Sequence, residues 1–228
     1  MSSSLDYAAL AAAPAGGLPR TVVGALLNYR QALEQLGEAA SQPPYKAPPK
    51  APILYIKPAN TYAGQDSDIV LPADVPEVEI GACLGIVFGR KATRVSEQSA
   101  LDYVAGYRIV ADLSVPHASF YRPPIKQKCR DGFCPMAART VPRAEVPDPD
   151  DLAIEMRIDG KVAQQAHTRD LIRPVARLIA DVTRFMSLDS GDVLLVGVPA
   201  GAPRARAGQR YEIDIARLGS LANRLVAA

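Results

Sequence analysis

The sequence predicts an α+β fold in which curved, mixed sheets carry the core and helices lie at the margin. Three observations predict it. Most apolar runs are short and bounded by Gly, Pro or Asp, as strands are. One long stretch sustains the helical period. The order of segments is not the regular strand–helix alternation of a doubly wound or barrel fold, and no internal repeat is evident. A chain of 228 residues, 48% hydrophobic and 22% charged, buries a real core, which excludes disorder throughout, collagen-like repeats and a coiled coil.

Residues 1–20, with Ala9, Ala11, Ala12 and Ala13 followed by Pro14, Gly16 and Gly17, lack a sustained period and read as a loose lead-in or a short strand. The length allows one large domain or two small ones. In TVVGALLNYRQALEQLGEAA (21–40), a strand-like run gives way near Asn28 to Leu26, Tyr29, Leu33 and Leu36 at helical spacing. Five prolines in 41–52 exclude helix there; because ILYI at 53–56 reads as a buried strand, that segment is expected to cross the surface. Further strand signals are IVLP (69–72), VEIGACLGIVFG (78–89), YVAGYRIVADLS (103–114) and AIEMRIDGKVAQQA (153–166). The last holds Asp159-Gly160 between alternating runs, a hairpin turn that demands positive φ. SEQSALDY (96–103) reads as a short helix capped by Ser96, with Glu97 in its first turn. Within 169–192, Ile172, Val175, Ala176, Ile179, Val182 and Met186 share a helical face, and Pro174 suits the first turn. DVLLVGVP (192–199) and RYEIDIARLG (210–219) read as two more strands around a Gly/Pro/Ala-rich loop.

Composition narrows the chemistry. Twenty-six basic and 24 acidic residues leave a net charge of +2, too small and dispersed for a nucleic-acid binder. No apolar run approaches the ~20 residues that span a bilayer. Cys83, Cys129 and Cys134 lack zinc-ligand spacing, and no charged start with an apolar stretch precedes them, so ordinary reduced thiols in a cytoplasmic protein are expected. With only His117 and His167 available, chemistry is expected to run mainly on carboxylates and lysines.

Glu77 and Glu79 lie two apart at the start of an apolar strand, so both aim to one face. They read either as cation ligands or as a solvated strand face. Asp112 sits inside the apolar run 109–113, where a charge needs a cation or several hydrogen bonds. Together, Glu77, Glu79 and Asp112 make an all-oxygen set suited to a hard divalent ion such as Mg2+ or Mn2+, with Ca2+ as an alternative and zinc disfavoured without imidazole or thiolate. Lys126, Lys128 and Arg130 beside Asp131 concentrate cations that suit a carboxylate-bearing ligand, or else form an exposed basic loop.

Taken in order, Asn28-Tyr29-Arg30 in 22–31, Ile56-Lys57-Pro58 with Asn60-Thr61, Glu77-Val78-Glu79, 104–107 leading to Asp112, 128–135 and 188–201 resemble the fumarylacetoacetate hydrolase superfamily. The resemblance covers nearly everything beyond residue 20. The stretches SFYRPPI (119–125), KCRDGFCP (128–135) and PYKAPPK (44–50) look most like one branch, the N-terminal half or subunit of the bifunctional isomerase/decarboxylases of 4-hydroxyphenylacetate (homoprotocatechuate) breakdown.

The resemblance implies a single domain over 21–228 with a mixed β-sandwich roll, a homodimer or a heteromer with a sister subunit, and a divalent metal on Glu77, Glu79 and Asp112. It implies a small 2-oxo polycarboxylate substrate that is decarboxylated or isomerised. Lys128 would bind substrate or assist proton transfer; Lys57, Tyr29, Arg30, Arg122 and Val198 would contribute to substrate binding. Three features depart from the family. The lid His and Glu are replaced by Ala32 and Gln35, an arginine by Pro116, and Gly-Thr-Pro by Gly197-Val198-Pro199. Without the lid base, an acylpyruvate-type hydrolase is disfavoured; the remaining alternative is a catalytically weak partner of a dyad-bearing sister chain.

Overall fold

The computed structural model describes residues 19–117, 119 and 121–228; residues 1–18 of the lead-in expected over 1–20, and Phe120 of the 119–125 stretch, lie outside them. Two curled sheets build the fold, with few helices, as the sequence predicts. The first contains β1 (Val22–Leu26), β2 (Ile53–Lys57), β3 (Tyr62–Gly64), β5 (Val78–Phe88), β6 (Val104–Ser114), β7 (Cys134–Met136), β8 (Val141–Pro142), β11 (Val193–Leu195) and β12 (Arg204–Ala205). Its order is β2-β1-β11-β5-β6-β7-β3, with β12 on β5 and β8 on β6. The second contains β4 (Asp68–Leu71), β9 (Ala153–Ile158), β10 (Lys161–His167), β13 (Arg210–Ile215) and β14 (Gly219–Ala227), ordered β10-β9-β13-β14-β4. Pairing is mixed: β1 with β11 and β14 with β4 are parallel, whereas β5 with β6 is antiparallel.

β5 and β6 form the spine. Every residue of β5 except Glu79 and Val87 is buried, because one face meets β9 and β13 of the second sheet and the other is covered by the chain after β11. By the two-residue alternation, Ile80, Ala82, Leu84 and Ile86 share the face inward to the core, all at 0% exposure. On the opposite face Gly81 makes room for Val198: a Cβ there would stand 2.6 Å from Val198 Cγ2.

The hairpin at Asp159-Gly160 forms with φ of 49° and 76°, joining β9 to β10. Ser96 caps the 3-10 turn Glu97–Tyr103, its side chain accepting from the Ser99 amide. Several elements differ from the sequence reading. The long helix is only α3 (Val175–Thr183); α1 (Arg30–Leu36) and α2 (Ile125–Lys128) precede it. Pro174 stands at the N-cap of α3 rather than inside its first turn. Leu171 bridges to Tyr29 and the Ile172 amide donates to the Asn28 carbonyl, so that segment is drawn into extended pairing before the helix starts. α1 buries none of its residues: Tyr29 caps it and Leu26 belongs to β1. β2 is an edge strand rather than a buried one, leaving Ile56 51% exposed. β3, β7, β8, β12 and β14 were not signalled by periodicity, being two or three residues long or, in β14, interrupted by Asn223 and Arg224.

Candidate active site

A cavity of about 460 Å3 opens where β5, β6, α1, α2 and the loop after β11 converge. Its walls include Glu79, Asp112, Ser114, His117, Lys128 and Arg204. Register explains the grouping. Glu79 lies opposite Ser114 and Gly81 opposite Asp112 across β5 and β6, and Arg204 of β12 lies opposite Glu79 on the other side, so these residues share the sheet face away from the core.

Asp112 is the electrostatic centre and is sealed from solvent. Its Oδ2 accepts from the Tyr55 hydroxyl at 2.5 Å and from Lys128 Nζ at 2.6 Å, while Oδ1 stands 2.7 Å from Lys57 Nζ. Lys57 donates at 2.8 Å to the carbonyls of Leu113, Lys128 and Phe133. Those three bonds use all its N–H groups, so Oδ1 receives the charge of Lys57 but no hydrogen bond. Burial alone would raise the Asp112 carboxyl; Lys128 and Lys57 outweigh it and hold the group well below the usual carboxylate range. Burial lowers the Lys57 ammonium against the pull of Asp112. Burial, then Asp112, raises the Tyr55 phenol far above its ordinary value. Lys128 also lies over the Tyr55 ring, 4.7 Å from its centroid.

The loop after β11 is fixed from below by Asn28. Its side-chain amide donates to the Val196 carbonyl at 2.8 Å and the Arg173 carbonyl at 3.2 Å, and its oxygen accepts from the Arg173 amide at 3.0 Å. Gly197 turns there with φ of 117°, a left-handed conformation that favours glycine, and carries Val198 over Gly81.

The expected site residues divide accordingly. Glu79, Asp112, Lys128 and Val198 line the cavity. Glu77 is not in its lining: Arg204 donates to its carboxylate at 2.9 Å and Arg206 at 3.3 Å, and the Arg204 bond leads the causes that hold its carboxyl below the ordinary range. Arg204 also stands 3.5 Å from Glu79. Lys57 lies beneath the cavity with no exposed side-chain surface, so it is correctly described as a support of Asp112 and not as a pocket wall. Tyr29 is buried at the start of α1, and Arg30 and Arg122 are exposed outside the lining; none of the three meets the cavity.

The fit to a hard divalent cation follows from these contacts. Glu79 and Asp112 both line the cavity, and Asp112 Oδ1 accepts no hydrogen bond. Glu77 reaches the same sheet face but is held by its arginines, and among the described residues no three His, Cys, Asp or Glu side chains come together. A divalent ion here would be held by Glu79 and Asp112, and Glu77 would take part only by releasing its arginines. Of the departures found in the sequence, Ala32 and Gln35 of α1 line the cavity, as does Val198. Sequence reasoning missed Tyr55, Ser114, His117 and Arg204. Only Tyr55 carried a signal, being adjacent to the Ile56-Lys57-Pro58 stretch. The thiols are unpaired; burial pushes that of Cys134 up to about 12.

A family model described as fumarylacetoacetate (FAA) hydrolase C-terminal matches residues 21–226. The chain belongs to the fumarylacetoacetate hydrolase family. Within the family it is 40% identical over 207 residues to the 4-hydroxyphenylacetate degradation bifunctional isomerase/decarboxylase of Salmonella dublin, covering 91% of this chain and 47% of that protein. It therefore spans about half the length of such relatives. The crystal structure of 5-carboxymethyl-2-hydroxymuconate delta-isomerase from Mycobacterium smegmatis superposes with a TM-score of 0.80 at 28% identity, covering 92% of this chain and 80% of that one. That of maleylpyruvate hydrolase from Sphingobium sp. SYK-6, in complex with manganese(II) and pyruvate, has a TM-score of 0.77 at 26% identity, covering 92% and 71%. No helix among the described residues is long and apolar enough to cross a membrane.

Proposed function

We propose that this chain is a divalent-metal-dependent decarboxylase/isomerase of 2-oxo di- and tricarboxylates, acting in the cytoplasm on intermediates of homoprotocatechuate breakdown. The observation that carries this reading is the cavity in which Lys128, paired to the buried Asp112, faces Glu79. The relative from Salmonella dublin, named for isomerisation and decarboxylation, supports the reaction class. The neighbour crystallised with manganese(II) and pyruvate supports a metal and a 2-oxo acid.

Asp112 and Glu79 would hold the ion, with Glu77 as a third donor in exchange for Arg204. When bound, a Mg2+ or Mn2+ ion supplies Lewis acidity that stabilises an enolate, which serves both carbon dioxide loss and double-bond migration. Lys128 presents an ammonium to an anionic oxygen of the substrate, its direction fixed by Asp112 and the Tyr55 ring. Arg204 adds a second cation at the rim, placed for another substrate carboxylate. Val198 and Pro199 supply apolar cover that limits water.

The test is an assay of the chain with Mg2+ or Mn2+ on 5-oxopent-3-ene-1,2,5-tricarboxylate, following carbon dioxide, and on 2-hydroxyhepta-2,4-diene-1,7-dioate, following dienol absorbance. Turnover of either that is lost in Glu79→Ala is expected; no turnover of either overturns a stand-alone enzyme. The half-length match and the cavity positions of Ala32 and Gln35 favour, as second reading, a homodimer or a pairing with a dyad-bearing sister subunit. Activity only in the mixture with such a sister would select the latter.

A further inference from the structure

The arginine in the cavity wall and the two carboxylates beside it form one unit. We propose that Arg204 couples ion binding to substrate binding: paired with Glu77 and Glu79 in the ion-free chain, its guanidinium is released when those carboxylates turn to a divalent cation, and it then takes the carboxylate at the far end of the 2-oxo acid. This rests on the proposed function and adds to it a dependence of diacid binding on the ion.

The two cations of the described lining, Lys128 and Arg204, differ in freedom. Lys128 is nearly sealed and stands 2.6 Å from a carboxylate with no exposed surface, so it stays in place. Arg204 is 55% exposed and pairs with Glu77 at 2.9 Å and Glu79 at 3.5 Å; pairs this open to water hold weakly. Its backbone does not follow the side chain. Arg204 lies opposite Glu79 in register, the Ile80 amide donates to the Pro203 carbonyl at 2.8 Å, and the Arg206 amide donates to Gln209 Oε1 at 2.9 Å. The exchange is thus confined to a side chain on a fixed strand. Arg206 holds the other oxygen of Glu77 at 3.3 Å but is outside the described lining, so it releases the carboxylate without meeting a ligand in the cavity.

Charge sets the direction of the coupling. Without the ion, a diacid that engages Arg204 must draw it away from Glu77 and leave Glu79 without its ion-pair partner. With a divalent cation on Glu79, the guanidinium has lost its counter-charge, and a second carboxylate can take two N–H groups of its fork. Each ligand improves the site for the other, and linkage makes the gain equal in both directions.

The experiment compares two 2-oxo acids with the same head. 2-Oxoheptanedioate has the chain length of the proposed heptadiene dioate and a distal carboxylate, whereas 2-oxoheptanoate ends in a methyl group. The affinity of the whole chain for Mn2+ is measured by electron paramagnetic resonance, alone and with each acid, after correction for Mn2+ held by free acid. Chelation by the shared head acts in both cases, so the difference between the acids belongs to the distal carboxylate. We expect the diacid to tighten Mn2+ by ~5-fold or more beyond the monoacid, and calorimetry of the diacid with and without Mn2+ to return its full tightening factor. The advantage is expected to vanish in Arg204→Gln and to persist in Arg206→Gln. Equal tightening by the two acids in the wild type, or an advantage that survives Arg204→Gln, overturns the proposal; so does its loss in both variants alike, which assigns it to net charge. Should Arg204→Gln fail to fold, the wild-type comparison and Arg206→Gln decide by the same criteria. A chain that releases carbon dioxide but shows no diacid advantage overturns the coupling and leaves the proposed function standing; one that binds no Mn2+ and turns over neither substrate overturns both.

Discussion

Lys57 and Asp112 approach to 2.7 Å with both side chains fully sealed from solvent, yet the lysine spends its hydrogen bonds on the carbonyls of Leu113, Lys128 and Phe133. The ammonium therefore does two things. It fixes the main chain that carries Lys128, and it supplies charge to Asp112. Replacing it by Met removes both, and breaking a buried pair from one side costs ~3–5 kcal/mol. Urea denaturation of Lys57→Met, followed by far-UV circular dichroism, is expected to show a loss of that size; a loss below ~1 kcal/mol, the range of an exposed pair, would contradict the structure.

Asp112 also sets the response to acid. Its carboxyl is held below its unfolded value by Lys128 and Lys57 against burial, and an unfolded Asp titrates near about 3.9. The stability it contributes is thus fully present above about pH 4 and is lost as pH falls through the lower folded value. In Lys128→Met one cation is gone, the folded carboxyl rises, and acid unfolding is expected to begin at higher pH than in the parent chain. An unmoved acid transition would show that Lys128 does not stabilise the carboxylate.

Arg204 is the present counter-ion of Glu77 and a neighbour of Glu79. Any divalent cation at those carboxylates competes with it. Manganese titration followed by electron paramagnetic resonance is expected to give Arg204→Gln an affinity about fivefold tighter, a difference of about 1 kcal/mol. Weaker binding in the variant would mean that Arg204 assists the site rather than opposing the ion.

Gly81 tests how the cavity roof is set. A methyl group there would lie 2.6 Å from Val198 Cγ2 and 2.8 Å from the Asp112 carbonyl. Gly81→Ala is expected to cost ~1–3 kcal/mol through overpacking and to depress turnover by displacing the 197–201 loop. Adding Val198→Ala relieves the first contact but not the second, so thermal melting should show partial recovery. Full recovery would place the whole conflict on the valine.

The sequence carried the signals whose physics is local. Asp159-Gly160 announced its hairpin because two positive-φ residues leave few alternatives, and Asp112 stood out because an apolar run cannot hold a charge without partners. Those partners were legible only through family likeness or not at all. Tyr55 and Asp112 are 57 residues apart and Arg204 and Glu77 are 127 apart, so no spacing rule links them. Lys57 and Arg122 illustrate the remaining difficulty. Both are cations in distinctive stretches, but the fold buries one under three carbonyls and leaves the other exposed outside the cavity, a choice made by strand order rather than by neighbouring residues.

Parallel pairing joins distant parts of the chain: β1 binds β11, the Thr21 amide donates to Asp192 at 3.0 Å across 171 residues, and β14 lies along β4. During synthesis, a ribosome that has just added residue 191 holds β5 and β6 with nothing between β1 and β5 and only part of the second sheet to cover them. Chains so dependent on remote contacts fold on the scale of milliseconds to seconds, and an unfilled gap in a ladder is an adhesive edge for a neighbouring nascent chain. The arrangement that assembles the cavity from both ends of the molecule therefore makes its birth late, and makes the interval before residues 219–227 dock the one in which chaperone capture and aggregation compete with the native state.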